Sequence, residues 1–357
     1  MAGFSIRPCG DFRTTYRQDT RIFDTTYIRN AAILGIFAVA MIPFVLDGYY
    51  VNLFIQISYF AIAALGLNIL VGFTGQISLG HAAFFGFGAF ASAWINNTTG
   101  IPVLLSIPLA GLLTAAVGML FGLPAARIKG LYLAIATLAA QFILEDFFAR
   151  ANWFTGGSSG AAANPINVFG YEVYDDISFF YVCLFFLVVM YLLGTNLMRT
   201  RDGRAFVAVR DHYLSAEIMG INLTKYRLMS FAISSFYAGI GGAIYGHYLG
   251  FVSAEGFTIL LSIQFLGMII IGGLGSVKGT LMGTVFMVLL PEVMESGVSA
   301  LSVFEWASST AVTDGLAYIK EMAIGLAIIL FLIFEPDGLA HRWQQIRAYW
   351  KLYPFSY

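Results

Sequence analysis

The sequence predicts an all-α polytopic membrane protein with about ten transmembrane helices, and three observations carry that prediction. Of 357 residues, 59% are hydrophobic and only 11% charged, against about a quarter charged in soluble proteins. The apolar residues fall in continuous runs of about 17 to 25, each long enough to cross a hydrocarbon core of roughly 30 Å as a helix. The runs do not alternate in polarity, which excludes the pattern of a membrane β-barrel. The 38 glycines suit close helix packing in lipid.

In chain order the predicted spans cover residues 31–47, 50–71, 78–95, 101–124, 131–149, 177–198, 228–250, 258–273, 279–296 and 318–334. Segment 78–95 follows a glycine-rich break and 258–273 is short, so each reads either as a full span or as a re-entrant piece. Residues 1–30 hold Arg7, Arg13, Arg17, Arg21 and Arg29. They are too long and too charged for the n-region of a signal peptide and are expected to form a retained cytosolic arm. Residues 31–340 form the transmembrane domain and 341–357 a cytosolic tail.

The distribution of basic residues tests the count, because cytosolic loops carry an excess of Lys and Arg. With ten spans and a cytosolic N-terminus, 17 of the 19 basic residues lie inside, leaving Arg150 and Lys320 outside, whereas 12 of the 20 acidic residues lie outside. Both termini are then cytosolic, and residues 199–227 form the largest inner loop. Segments 150–176 and 297–317, rich in Gly, Ser, Asn or Thr, read as outer loops.

Inside loop 199–227 stands "GRAFVAVRDHYLSAEIMGI". Asp211 suits an N-cap and Gly220 a C′ position, which predicts a helix of about two turns over "HYLSAEIM". Leu214 and Ile218 are spaced i, i+4 and Ala216 and Met219 widen the patch, opposite Ser215 and Glu217. A helix this short is marginal alone in water. Two readings stand: a loop whose arginines only set topology, or a helix that docks on a partner. Asp211 and Glu217 disfavour an anionic lipid surface.

A second feature is "LNILVGFTGQISLGHAAFFGFGAFASAWI", where Gly72, Gly75, Gly80, Gly86 and Gly88 stand among Thr74, Gln76, Ser78 and His81. Unwound backbone at membrane depth is tolerated where it is buried in protein or lines a watery cavity, which makes this stretch a candidate translocation pathway. Tight packing by small residues would explain the glycines but not the polar neighbours. His81 has no second ligand at useful spacing and reads as a packed histidine.

Other candidates are weaker. "GGLGSVKGT" places Lys278 before Gly279, the reverse of a phosphate loop, and lacks the preceding strand, so nucleotide binding by this chain is rejected. Glu145, Asp146, Glu292 and Glu295 fall near predicted outer interfaces, where carboxylates need no proton-relay role. Cys9 and Cys183 form neither a disulfide framework nor a metal site. No catalytic motif is present, so an enzyme is not expected.

"LNILVGFTGQISLGHAAFFGFGAF", "GRAFVAVRDHYLSAEIMGI" and "IGGLGSVKGTLMG", in this order, together with "TGGSSG" at 155–160, resemble the LivM-type permeases of branched-chain amino acid ABC importers over residues 50–340. The resemblance implies an ABC importer permease fold in a bacterial inner membrane, paired with a LivH-like second permease within surrounding membrane lipid. It also implies two cytosolic ATPases that hold the ATP and Mg, and a periplasmic or lipid-anchored substrate-binding protein. No cofactor on this chain and no nucleic acid partner are expected. Carried over by residue, the ATPase-coupling segment matches Arg210, Asp211, Ala216, Glu217, Gly220 and Ile221, and the glycine-rich element matches Gly72 to Gly88. The solute stays open among branched-chain amino acids, urea, short amides and aromatic acids. A stand-alone ion-coupled carrier or channel is the competing class, and it would need a mid-membrane ionisable site that the sequence does not offer.

Overall fold

The computed structural model describes residues 14–15, 26–124, 128, 130–168, 171–173, 175–301 and 310–352. Most of the arm 1–30, together with Arg127 and Lys129, lies outside the described residues. Helices dominate: α1 (Thr26–Ala40), the short α2 (Ile42–Val45), α3 (Gly48–Asn68, continued by a π-helical turn Ile69–Phe73), α4 (His81–Thr99), α5 (Val103–Gly122) and α6 (Leu131–Arg150). After the short α7 (Asn152–Thr155) come α8 (Asp176–Arg199), α9 (Arg201–Ile218), α10 (Leu223–Leu249), α11 (Ile259–Gly272), α12 (Val277–Leu301), α13 (Thr310–Phe334) and α14 (Gly338–Leu352).

Each of the ten predicted segments is helical at its core, but not every one of them has the length and apolarity of a full span. Among the described residues seven helices are long and apolar enough to span a membrane, or eight if the bent pair Glu321–Phe334 and Gly338–Trp350 is one span. The apolar part of α1, Ile28–Ala40, is too short. Helix α4 is long enough at 19 residues, but its last turn "NNTT" and its glycines dilute its apolarity. The physical reason is burial: α4 faces protein on most sides, and a helix shielded from lipid does not need a fully apolar surface. Helix α11 reaches span length only with the turn that begins at Ala254.

The hydrophobic patterning alone does not separate inner from outer helices, and the packing does. In α3 83% of the apolar window is buried and in α10 67%, whereas the other spans bury 33–39%. Helices α3 and α10 therefore form the interior, with α4, α5 and α6 on one side and α8, α11, α12 and α13 on the others. Small residues bring the central helices together. A Cβ on Gly88 would lie 2.3 Å from the Gly239 backbone, and one on Gly242 would lie 1.8 Å from the Phe85 carbonyl oxygen. Around these contacts sit Tyr59, Phe85, Phe257 and Phe265, with ring centroids 5.4–6.5 Å apart where they meet.

Segment 150–176, read as a loop, is partly ordered. Strand β1 (Ala161–Ala162) pairs antiparallel with β4 (Phe251–Val252), and β2 (Ile166–Val168) with β3 (Tyr171–Val173). The first pairing joins residues about ninety positions apart, which local composition cannot reveal. Segment 297–317 also differs from the predicted loop: 297–301 continue α12 and 310–317 begin α13, while 302–309 lie outside the described residues. These strands mark one end of the bundle, the hairpin end; α9 marks the other.

Packing at the centre gives a direct test. In Gly242→Ala the new methyl meets a backbone oxygen that cannot turn away, so the expected loss is about 1–3 kcal/mol or more, read as a lower thermal unfolding midpoint in detergent. Gly325→Ala, with nothing within 4 Å of the added Cβ, is expected to leave the midpoint unchanged.

Candidate functional site

At the α9 end, local chemistry sets the geometry. Thr200 caps α9 by accepting the Gly203 N–H at 3.3 Å, satisfying one of the free donors of the first turn. The helix then breaks at His212, whose backbone is extended. The second piece, 213–218, is capped by the His212 ring: Nδ1 accepts the Ser215 N–H at 3.3 Å and lies 3.0 Å from the Ser215 hydroxyl. The predicted Asp211 cap is thus corrected by one residue. Asp211 is occupied by its neighbour, since Arg210 Nε and Nη2 both lie 2.8 Å from Asp211 Oδ1.

Gly220 ends the helix as expected. Its φ is +83°, and the N–H groups of Ile221 and Gly220 donate to the Ala216 and Glu217 carbonyls at 3.0 and 2.9 Å, the pair of bonds that defines a Schellman cap. Ala216 departs from its predicted place on the apolar face. It is 5% exposed and turned toward the body of the protein, whereas Leu214, Ile218 and Met219 are 52, 86 and 82% exposed. Glu217 and Asp211 are also exposed. The result is a rigidly capped short helix with three large apolar side chains facing outward.

The glycine-rich element lies against the same end. The π turn after α3 leaves the Gly72 carbonyl without an intrahelical donor, and Arg210 Nη1 donates to it at 2.8 Å, a cation at a helix C-terminus where the dipole favours it. Gly75 has φ +70°, and its Cβ would lie 3.0 Å from Arg210 Cγ. Beyond it, Gln76 donates through Nε2 to Thr74 Oγ1 at 3.0 Å and to Ser230 Oγ at 2.6 Å. Gln76 Oε1 and the Ser78 hydroxyl are buried with no protein hydrogen-bond partner. A Cβ on Gly80 would meet the Thr137 carbonyl. His81 Nε2 lies 2.8 Å from the Ala63 carbonyl, and its ring packs edge-on against Phe265. His81 is therefore a packed histidine.

Four side chains that the sequence reading passed over, three around these breaks and one at the hairpin end, tie the helices together. Asn68, 1% exposed, accepts the Gly275 N–H at 2.9 Å and donates to the Ser276 carbonyl at 3.0 Å and to Thr280 Oγ1 at 2.6 Å. It ties α3 to the "GGLGSVKGT" turn, where Ser276 Oγ caps α12 by accepting the Gly279 N–H at 3.0 Å. Gln141, fully buried, accepts the Ala83 N–H at 2.9 Å and donates to the Phe257 carbonyl at 2.7 Å. Ser262 Oγ accepts the Ala82 N–H at 2.9 Å. The first turns of α4 and α11 thus meet inside the bundle. At the hairpin end, His247 bridges Ser92 Oγ at 2.8 Å and the Asn164 carbonyl at 2.7 Å. A polar residue within an apolar helical run was the available signal for Asn68, Gln141 and His247 alike, but it does not name a partner.

The family model described as "Branched-chain amino acid transport system / permease component" matches residues 49–333. The chain belongs to this family. It is a multi-pass membrane permease of the ABC transporter class. The high-affinity branched-chain amino acid transport system permease protein LivM of Salmonella typhimurium is 31% identical, covering 83% of this chain and 71% of that protein. The protein of the same name from Escherichia coli is 30% identical with the same coverage. More distant, the guanosine ABC transporter permease protein NupQ of Bacillus subtilis is 24% identical over 69% of this chain and 89% of its own length. No solved structure matches this permease.

The buried Gln141 is open to test. Gln141→Leu leaves the Ala83 N–H and Phe257 carbonyl unpaired, at an expected cost of about 1–3 kcal/mol, and should lower the unfolding midpoint of the purified permease. An unchanged midpoint would mean that these helix starts are held by other contacts.

Proposed function

We propose that this permease is one of two membrane-spanning subunits of an ATP-driven importer, and that its 213–219 helix docks a cytosolic ATPase. The observation that carries the reading is the exposure of Leu214, Ile218 and Met219 on a helix capped at both ends and anchored through Ala216. Large apolar side chains displayed on a rigid support fit a groove on a protein partner, where fully burying each contributes roughly 1.5–3 kcal/mol. On this reading α9 faces the cytosol, both termini are cytosolic, and the protein sits in a bacterial inner membrane beside a LivH-like second permease. ATP and Mg belong to the ATPases, and a binding protein delivers solute at the hairpin end.

Branched-chain amino acids are the proposed cargo, supported by the names of the LivM relatives; urea, amide and aromatic-acid import remain within the same class. The pathway is proposed to pass the stretch from Gly72 to His81, where Gln76 and Ser78 keep buried polar atoms free of protein partners. The ion-coupled carrier is disfavoured, since no Asp or Glu is buried among the residues whose exposure the structure describes.

Deleting residues 212–219 is expected to abolish co-purification with the ATPases while membrane insertion persists. The double variant Ile218→Glu with Met219→Glu should weaken association by at least about tenfold, given roughly 1.5–3 kcal/mol for each large apolar side chain buried. Undiminished association in both would overturn the docking role. In liposomes the complete complex should take up radiolabelled leucine only with ATP; gradient-driven uptake by the single chain would favour the carrier.

A further inference from the structure

The three stretches that carry the family resemblance are far apart in sequence, yet one side chain touches all of them. Arg210 lies in α9 three residues before its 213–218 piece begins. Its Nη1 donates to the Gly72 carbonyl at the end of α3, its Cγ lies 3.0 Å from where a Gly75 Cβ would be, and its Nη1 lies 3.0 Å from where a Gly275 Cβ would be. The guanidinium therefore occupies a slot between the two glycine-rich breaks. Both walls are glycines with positive φ, +70° at Gly75 and +76° at Gly275, so a side chain on either wall would close the slot.

The slot leads further. Asn68, one turn before Gly72, holds the Gly275 N–H, the Ser276 carbonyl and Thr280 Oγ1, which links the end of α3 to the start of α12. The other face of the guanidinium is held by Asp211, so its planar fork is fixed in orientation, as a lysine ammonium would not be. A displacement of the 213–218 helix has to move Arg210, and Arg210 is bonded to the unwound turn, where the helix ladder is already broken and bends at least cost.

We propose that Arg210 is the positioning residue that carries motion of the 213–218 helix into α3 and α12. The inference rests on the docking role proposed for that helix. It differs from docking because Arg210 acts inward, on Gly72, and not on the partner. Asp211 orients the fork but is not the link, since it belongs to the same helix and touches neither glycine break in its bonds with Arg210.

The test uses the assembled transporter with its ATPases and compares hydrogen–deuterium exchange with and without a non-hydrolysable ATP analogue. In the unsubstituted complex the analogue should change exchange both at 213–219 and at 68–80 and 272–280, by at least about tenfold, the size expected of one charge-assisted hydrogen bond made in only one state. In Arg210→Gln the change at 213–219 should persist while that at 68–80 and 272–280 is lost, with ATPase co-purification retained. Asp211→Asn should transmit as the unsubstituted complex does. Arg210→Lys, which keeps charge and one donor, replaces the Gln variant if that fails to assemble, and it should transmit more weakly than Arg. Full transmission by either Arg210 variant overturns the relay and leaves docking intact, as does loss of transmission in Asp211→Asn alone. No response at 213–219 in the unsubstituted complex overturns the docking reading and the relay with it.

Discussion

Inside a membrane bundle there is no bulk water to complete a broken helix, so each backbone group freed by a break needs a partner from the protein. The rest of this structure depends on how that constraint is met. Helix α3 unwinds through a π turn, α4 and α11 begin within the bundle, and α11 and α12 are separated by a tight glycine turn. The freed groups are matched individually. Arg210 completes the Gly72 carbonyl, Asn68 holds the Gly275 N–H, Gln141 and Ser262 take the Ala83 and Ala82 N–H groups, and Thr137 takes that of Leu79. Removing one of these partners leaves a buried polar group unpaired, which costs more than the net worth of the bond it made.

Those side chains also connect elements that glycine contacts alone would only pack. Around α10, small residues let backbones approach until there is no room for a methyl group, giving a stiff centre of α3, α4, α5 and α10. At the α9 end the contacts are polar and directional, and they converge on unwound turns. A stiff centre beside a deformable junction is the arrangement in which movement at a surface helix reaches particular helix ends without unpacking the whole bundle. The exposed side chains of Leu214, Ile218 and Met219 supply that surface.

The candidate site was only partly legible in the sequence. The short helix before Gly220 was readable because a Schellman end depends on one residue able to adopt positive φ. Its start was not, because Asp211 and His212 can both cap, and Arg210 decides between them by engaging Asp211. The outward face of Leu214, Ile218 and Met219 followed from spacing, yet Ala216 was misplaced because periodicity does not say which flank of a helix meets the body. Asn68 and Gln141 are marked locally only as polar residues in apolar runs, which names no partner, and their partners are more than fifty positions away.

What the sequence determined by itself was the membrane class, the position of each long apolar helix and the breaks at glycine, since these rest on run length and local backbone freedom. It also determined the family, through three motifs in order. Only the tertiary structure decided which helices are interior, which apolar segments need not face lipid, and that two glycine breaks two hundred residues apart close around a single arginine. The reason is that apolar runs look alike whether they meet lipid or protein, while a hydrogen bond between distant turns exists only once the chain has folded.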